Sequence, residues 1–389
     1  MTSGDDLVAA LRAEGNLPSD WAEAFAAVDR AAFVPAHAWF DDEDGRPRPI
    51  DRGGDPGRWY DAVYSDEPIV TQLDGGRVRW PESSPLVTSS ASQPSIVLAM
   101  LDALGLRDGH RVLEIGTGTG YNTALLCERL GDDHVTSVEV DPALTEQARA
   151  TLRAAGYKPT VVCGDGVAGR RASRPYDRLL CTAAVIAGRL PYAWVEQIRP
   201  GGRILTPWGT AYRNGVLVRL TVDRDGTASG PVLGEAAFMR LRSHDTPFGH
   251  AARLGDLVDT STIAVDTITT VPPAEVATGP GAFTVGLHLP DVQSGVFYDD
   301  PAHYEVLLYH VPTDSVASAT VSPESASAGR YPVRQHGPRR LWDEAEAAHT
   351  WWAAHGFPAP TRYGLTISPE RQHVWLDAPA NPVRSWNSR

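Results

Sequence analysis

Residues 112–120 read VLEIGTGTG. An apolar run ends at Glu114 and Ile115, and Gly116, Gly118 and Gly120 then lead into YNTALLCERLG, whose apolar residues fall at helical spacing. A strand that turns directly into a helix around a ligand needs glycine, because the chain bends sharply and a Cβ would keep the ligand off the backbone. Working outward, HVTSVEV (134–140) is a second strand with Glu139 near its end. The run around 160–164 is a third, followed by Asp165 and Gly166. Further strands are expected at 177–183, 202–208 and 216–222. Helix-like runs separate them, among them PALTEQARATLRAAG with Asp141 as N-cap, Pro142 in the first turn and Gly156 as terminator. Strands alternating with helices predict a mostly parallel, doubly wound α/β sheet, which binds ligands at the carboxyl ends of its strands.

Alone, G-x-G-x-G fits a structural turn or a dinucleotide loop. The dehydrogenase spacing G-x-G-x-x-G is absent, because the third glycine comes one residue early. An acid two residues before the first glycine, Glu139 on the next strand and Gly-Asp-Gly after the third make a combination that points to S-adenosylmethionine. In this reading Glu114, Gly116, Thr117 and Gly118 form the cofactor loop, Glu139 accepts hydrogen bonds from the ribose hydroxyls, and Asp165 with Gly166 meets the adenine. Tyr121 and Asn122 serve either the cofactor or helix packing. The fold class is then a Rossmann-like class I methyltransferase.

The rest of the chain bounds the function. A net charge of −13 without a basic stripe argues against nucleic acid as partner. The longest apolar runs are too short for a membrane span, and the acidic start, MTSGDDLVAALRAEG, is unlike an export signal. Cys127, Cys163 and Cys181 match no disulfide framework or zinc spacing, and the histidines show no ligand spacing, so no metal is expected. Cys163 and Cys181 read as buried thiols, and the whole as a cytoplasmic protein. Three regions are expected: residues 1–87, helical with an acidic Gly/Pro-rich loop at 41–60; 88–244, the cofactor-binding core; and 245–389, a C-terminal α+β extension that serves either substrate recognition or the stability of the fold. In the last region STIAVDTITTV, AFTVGLHL and YEVLLYHV read as antiparallel strands, 313–329 as a small-residue loop, and LWDEAEAAHTWWAAHG as a helix with Trp342, Trp351 and Trp352 in the core.

Beyond the cofactor motifs, VLEIGTGTGYNTALL, SVEVDP, GDGVAG, PYDRLLCTAAV, LPYAWVEQIRPGGRILTPWG and AAFMRLR occur in this order. VDRAAFVP, VYSDEPIV and ASQPSIVLAML precede them. Over about residues 20–242 this resembles the protein-L-isoaspartate O-methyltransferases, with inserted sequence around 41–60 and 73–87. The resemblance implies carboxyl methyl transfer, with Ser92 at the acceptor carboxylate and reactive centre, and with Gln93, Pro94, Thr182 and Ala183 lining the substrate site. The family usually has alanine and histidine beside that proline, where this chain has Gln93 and Ser95. Its repair enzymes are also shorter. Both departures make the chain look more like the subgroup tied to ribosomally made, modified peptides, acting on one aspartate of a macrocyclised precursor to give succinimide (aspartimide) or isoaspartate. Isoaspartyl repair, small-molecule methylation and a non-catalytic precursor-binding role remain as alternatives. The bland reading of Ser92 is N-cap of the helix that starts at Pro94. His110, His134 and His244 read as surface or satisfied polar residues.

Overall fold

The computed structural model describes residues 2–41, 47–244 and 250–388. The chain opens with helices α1 (Gly4–Ala13) and α2 (Ala22–Ala27), followed by β1 (His37–Asp41), β2 (Pro47–Asp51), α3 (Pro56–Val63), β3 (Ile69–Leu73) and β4 (Val87–Ala91). The strands form a small antiparallel sheet in the order β2–β1–β3–β4. The stretch expected as a loop at 41–60 therefore holds a strand and a helix. Its anchors are Ile50 and Trp59, both buried. Asp55 starts α3 by accepting the Arg58 N–H at 3.0 Å, with Pro56 in the first turn. Residues 42–46 of the acidic stretch lie outside the described residues.

The central region runs α4 (Pro94–Leu104), β5 (Val112–Ile115), α5 (Tyr121–Leu130), β6 (Val135–Glu139), α6 (Pro142–Ala154), β7 (Thr160–Cys163), β8 (Tyr176–Cys181), β9 (Val185–Ile186), α7 (Tyr192–Val195), β10 (Ile198–Gly209), β11 (Asn214–Val222) and β12 (Ala228–Glu235). The sheet order is β7–β6–β5–β8–β10–β11–β12, parallel as far as β10 and antiparallel after it. This is the expected Rossmann-like arrangement. Every residue of β5 and β6 is buried, as a strand covered on both faces by helices requires. Asp141 caps α6 as read, accepting the Ala143 and Leu144 N–H groups at 2.9 and 3.2 Å, and Gly156 has φ +94° just beyond the helix end.

The C-terminal third contains α8 (His250–Thr260), β13 (Val265–Thr269), α9 (Pro273–Ala277), α10 (Ala282–His288), β14 (Gln293–Asp300), β15 (His303–His310), β16 (Ser315–Val321), α11 (Pro323–Ala328), β17 (Tyr331–His336), α12 (Leu341–Ala354), β18 (Tyr363–Ile367), β19 (Arg371–Leu376) and β20 (Pro382–Asn387). A second antiparallel sheet has the order β13–β17–β16–β15–β14. The last three strands do not belong to it. They continue the main sheet as β12–β18–β19–β20, and Tyr363, Leu365, Ile367 and Val374 share one core with Val218, Leu220 and Val232. The extension is thus tied into the central sheet rather than set apart from it, and the expected boundary at 244/245 adjoins 245–249, outside the described residues.

Three expectations fail here. AFTVGLHL forms α10, not a strand: Ala282 through Leu287 are all buried, so no polar face marks the helical period. Residues 313–329 are not a loop but mostly β16 and α11. Cys163 is exposed at the end of β7, whereas Cys127 and Cys181 are buried. Trp342 and Trp352 are core residues as expected, whereas Trp351 is only half-buried, packed at the edge of the core. No helix among the described residues is long and apolar enough to cross a membrane.

Candidate active site

A cleft enclosing about 1110 Å³, open mouth included, runs along the carboxyl ends of β5, β6, β7 and β8, with β4 as its opposite wall. The glycine loop forms its floor. Gly116 has φ +95°, and a Cβ there would meet Thr182 Oγ1 at 2.5 Å, so both backbone angle and space exclude a side chain. A Cβ on Gly118 would find its nearest atoms, Ser89 Oγ and Ser90 O, only at 3.8 Å, and so would project toward β4. Glu139 lines the cleft with Oε2 accepting the Gly118 N–H at 2.9 Å and Oε1 accepting the Asp141 N–H at 3.0 Å. Each oxygen keeps lone-pair capacity for a diol. Asp165 and Gly166 line the next stretch, Asp165 accepting the Val167 N–H at 3.0 Å. Acids at two strand tips over a glycine-rich floor fit the nucleoside end of S-adenosylmethionine.

Glu114 is placed differently from expectation. It is fully buried behind the loop and does not line the cleft. Asn122 Nδ2 and Thr123 Oγ1 donate to it at 2.5 Å each, and Ser137 Oγ at 2.6 Å. Ser137 in turn bonds Thr117 at 2.6 Å. Burial raises the Glu114 pKa, against the pull of the Ser137, Thr123 and Asn122 hydrogen bonds. Its role is to tie β5, α5 and β6 beneath the loop. Asn122 borders the cleft while its amide is spent on Glu114. Tyr121 borders it too, packed between Phe25 and Phe33 at ring distances of 6.4 and 5.8 Å, so helix packing holds for this residue.

Ser92 lines the cleft just past β4. The helix alternative fails, because the cap residue of α4 is Gln93 and its own side chain makes no cap bond. Asp66 does the capping from outside, accepting the Ser95 N–H at 2.8 Å and the Gln93 amide at 3.3 Å. The residues that depart from the family pattern thus face Asp66. Gln93 and Pro94 do not line the cleft, which corrects their assignment to the substrate site. Among the described residues the Ser92 hydroxyl has no hydrogen-bond partner. Thr182 and Ala183 do line the cleft, Thr182 Oγ1 donating to Gly116 O at 2.8 Å and Ile115 O at 3.1 Å.

Several site residues were not found by sequence reading. The buried Arg30 guanidinium donates to the carbonyls of Val63, Ser65, Glu67, Ala91 and Ser92 at 2.8–3.3 Å, fixing the backbone that presents Ser92. Thr88, Ser89 and Ser90 of β4 form one wall, and the segment from Phe238 to Arg242 another. That segment is the AAFMRLR stretch, noted above for its resemblance but given no role. His244 is buried beside it, Nδ1 accepting from Ile186 N at 3.4 Å, and burial with the nearby Arg189 lowers its pKa to about 4.

Residues 57–246 match the family model described as Protein-L-isoaspartate(D-aspartate) O-methyltransferase. Protein-L-isoaspartate O-methyltransferase 2 of Archaeoglobus fulgidus is 39% identical over 153 residues, covering 39% of this chain and 68% of that protein. Protein-L-isoaspartate O-methyltransferase of Anaeromyxobacter dehalogenans is 36% identical over 206 residues, covering 52% of this chain and 80% of that protein. A solved structure described as protein-L-isoaspartate O-methyltransferase aligns with a TM-score of 0.54 at 21% identity, over 96% of this chain and 100% of that one. At that identity the likeness concerns the fold, and it runs through the C-terminal third. The chain therefore belongs to the protein-L-isoaspartate O-methyltransferase family and is an S-adenosylmethionine-dependent carboxyl O-methyltransferase.

Proposed function

We propose that this chain methylates the free carboxylate of an L-isoaspartyl residue within a peptide segment, at a point in the cleft beside Ser92. The observation that carries the reading is Ser92 itself: a hydroxyl uncommitted among the described residues, on backbone pinned by Arg30, facing the glycine loop across the cleft. The names of the relatives support isoaspartate as the acceptor. The length of the chain does not by itself weigh against it, since the fold likeness extends over 96% of the chain.

Bound S-adenosylmethionine supplies an electrophilic methyl group, held by Glu139, Asp165 and the glycine loop. The chain's remaining task is orientation. A carboxylate with a solution pKa near 4 is already ionised at neutral pH, so no general base is needed. Ser92 donates one hydrogen bond and so fixes the direction of the carboxylate without neutralising it. The product is a methyl ester. Attack on it by the next backbone nitrogen, with that nitrogen's proton leaving as part of methanol, closes a succinimide.

A second reading keeps the chemistry and changes the acceptor to an ordinary aspartate of a ribosomally made, macrocyclised precursor peptide, leading to aspartimide. The inserted 73–87 region favours it, because it leads directly into β4, whose residues from Thr88 to Ala91 wall the cleft. In both readings the partner is a peptide. Incubation with cofactor and two peptides, one linear and isoaspartyl, the other a macrocycle with an unmodified aspartate, separates them by mass spectrometry. Gain of one methylene on the isoaspartyl peptide, followed by loss of methanol, is the expected result. Methylation confined to the macrocycle selects the second reading, and no methylation of either peptide overturns both.

A further inference from the structure

Beside Glu139, side chains from four parts of the chain join across the rim of the cleft. Asp141 accepts a hydrogen bond from Gln72 Nε2 at 3.0 Å and pairs with Arg242 Nη1 at 3.2 Å. Arg242 Nη2 donates to Gln72 Oε1 at 3.4 Å, and Thr88 Oγ1 donates to the same oxygen at 2.8 Å. Gln72 lies on β3, Thr88 on β4, Asp141 at the head of α6, and Arg242 on the segment beyond β12. Gln72 and Arg242 are 170 residues apart. Thr88 and Arg242 line the cleft together with Glu139, Val140 and Leu144. The ring of bonds therefore bridges the small N-terminal sheet and the main sheet over the position read as the ribose site.

We propose that Gln72, Asp141 and Arg242 form a clasp whose opening governs exchange of the cofactor and its demethylated product, making Arg242 and Gln72 determinants of cofactor residence. The partners are unequal in a way that suits opening. The Asp141 side chain is 9% exposed and keeps the Ala143 and Leu144 N–H groups when the clasp parts, whereas the Arg242 side chain is 39% exposed and its guanidinium can swing into water. Gln72 retains Thr88. When Arg242 swings out, Asp141 Oδ2 keeps the Gln72 amide, so opening strands no buried charge, and the two bonds lost, both made by Arg242, are of the partly exposed kind that break readily. The clasp also explains why a residue beyond the last strand of the core and one on the N-terminal sheet meet at a cofactor site.

The inference rests on Glu139 as the ribose-binding acid, and the test separates the two. Full-length protein is loaded with S-adenosylhomocysteine, and release is followed by stopped-flow displacement for the wild type, Arg242→Met, Gln72→Ala, the double variant and Glu139→Gln. Release is expected to quicken about tenfold in each single variant, and the double variant to be little faster than either, because one clasp is lost only once. Raised salt should speed release from the wild type and not from Arg242→Met. Loss of binding in Glu139→Gln with unchanged release in both single variants overturns the clasp alone. Normal binding in Glu139→Gln overturns the ribose placement and the clasp with it. Should Arg242→Met fold poorly, Gln72→Ala decides.

Discussion

Methyl transfer between a carboxylate and a sulfonium asks little acid–base work of the protein, so single side chains act here by holding geometry. Ser92 is the case that bears on chemistry. Replacing it with alanine removes one hydrogen bond to a charged acceptor, and kcat/KM is expected to fall about 10- to 100-fold. The dissociation constant for S-adenosylhomocysteine, measured by calorimetry, should stay within about twofold, because Glu139, Asp165 and the loop are untouched. Equal losses in both quantities would refute the assigned role. Glu114 acts from beneath. Its burial raises its pKa above the ordinary value of about 4.3. A carboxyl group whose folded pKa is raised contributes stability that is fully present below the unfolded value and is lost as pH climbs through the folded one. Urea midpoints of wild type and Glu114→Gln, followed from acid to neutral pH, should show the wild type losing ground to the variant as pH rises above about 4.3. A constant difference across that range would show that Glu114 does not titrate as its surroundings dictate.

At the scale of elements, Arg30 is the fastener. It joins the end of α3, the approach to β3, the end of β4 and the start of α4 through five carbonyl oxygens. Burial lowers its pKa to about 10, which leaves it protonated at neutral pH. Arg30→Ala leaves those carbonyls without their donor, and a loss of about 3 kcal/mol or more is expected in urea denaturation. Arg30→Lys recovers only part of it, since three rotatable donors cannot reproduce a planar fork. A loss below about 1 kcal/mol for the alanine variant would show that water replaces the guanidinium. None of this was legible in VDRAAFVP, because the partners of Arg30 lie 33 to 62 residues away. What could be read was local. The glycine loop, Glu139, Asp165 and the capped α6 each declare themselves within a few residues, and so the parallel sheet and the placing of these residues along one cleft were predictable. Gln72, Thr88 and Arg242 reach the cleft only through tertiary folding. β16 was hidden for another reason: Ser315, Ala317, Ser318 and Ala319 look like linker composition, yet six of its seven residues are buried. A central strand packed under α8 and α12 has room for little more than small side chains.

Across the whole molecule, the C-terminal third completes the central sheet and braces the loop beside the site. β18 hydrogen-bonds to β12, whose Ala228 and Val232 are buried; without β18 to β20, β12 becomes an edge strand with its apolar face uncovered. Gln372, fully buried on β19, bonds both main-chain groups of Leu190, donating to its carbonyl at 2.8 Å and accepting from its N–H at 3.2 Å. Trp386 on β20 lies against Gly188, where a Cβ would come within 2.6 Å of the ring. The loop held in this way begins at Thr182 and Ala183 and pairs through Ala184 with the Met239 and Leu241 main chain that walls the cleft. A chain ending at residue 244 is therefore expected to aggregate or to lose cooperative unfolding, as read by sedimentation and circular dichroism. Gln372→Ala is the milder version. It removes two buried hydrogen bonds, at about 1 to 3 kcal/mol, and hydrogen exchange at residues 184–190 should quicken while exchange in β5 and β6 rises only as far as that global loss dictates. A stable, cofactor-binding fragment 1–244 would mean that the core folds alone and that the last three strands are an accessory layer.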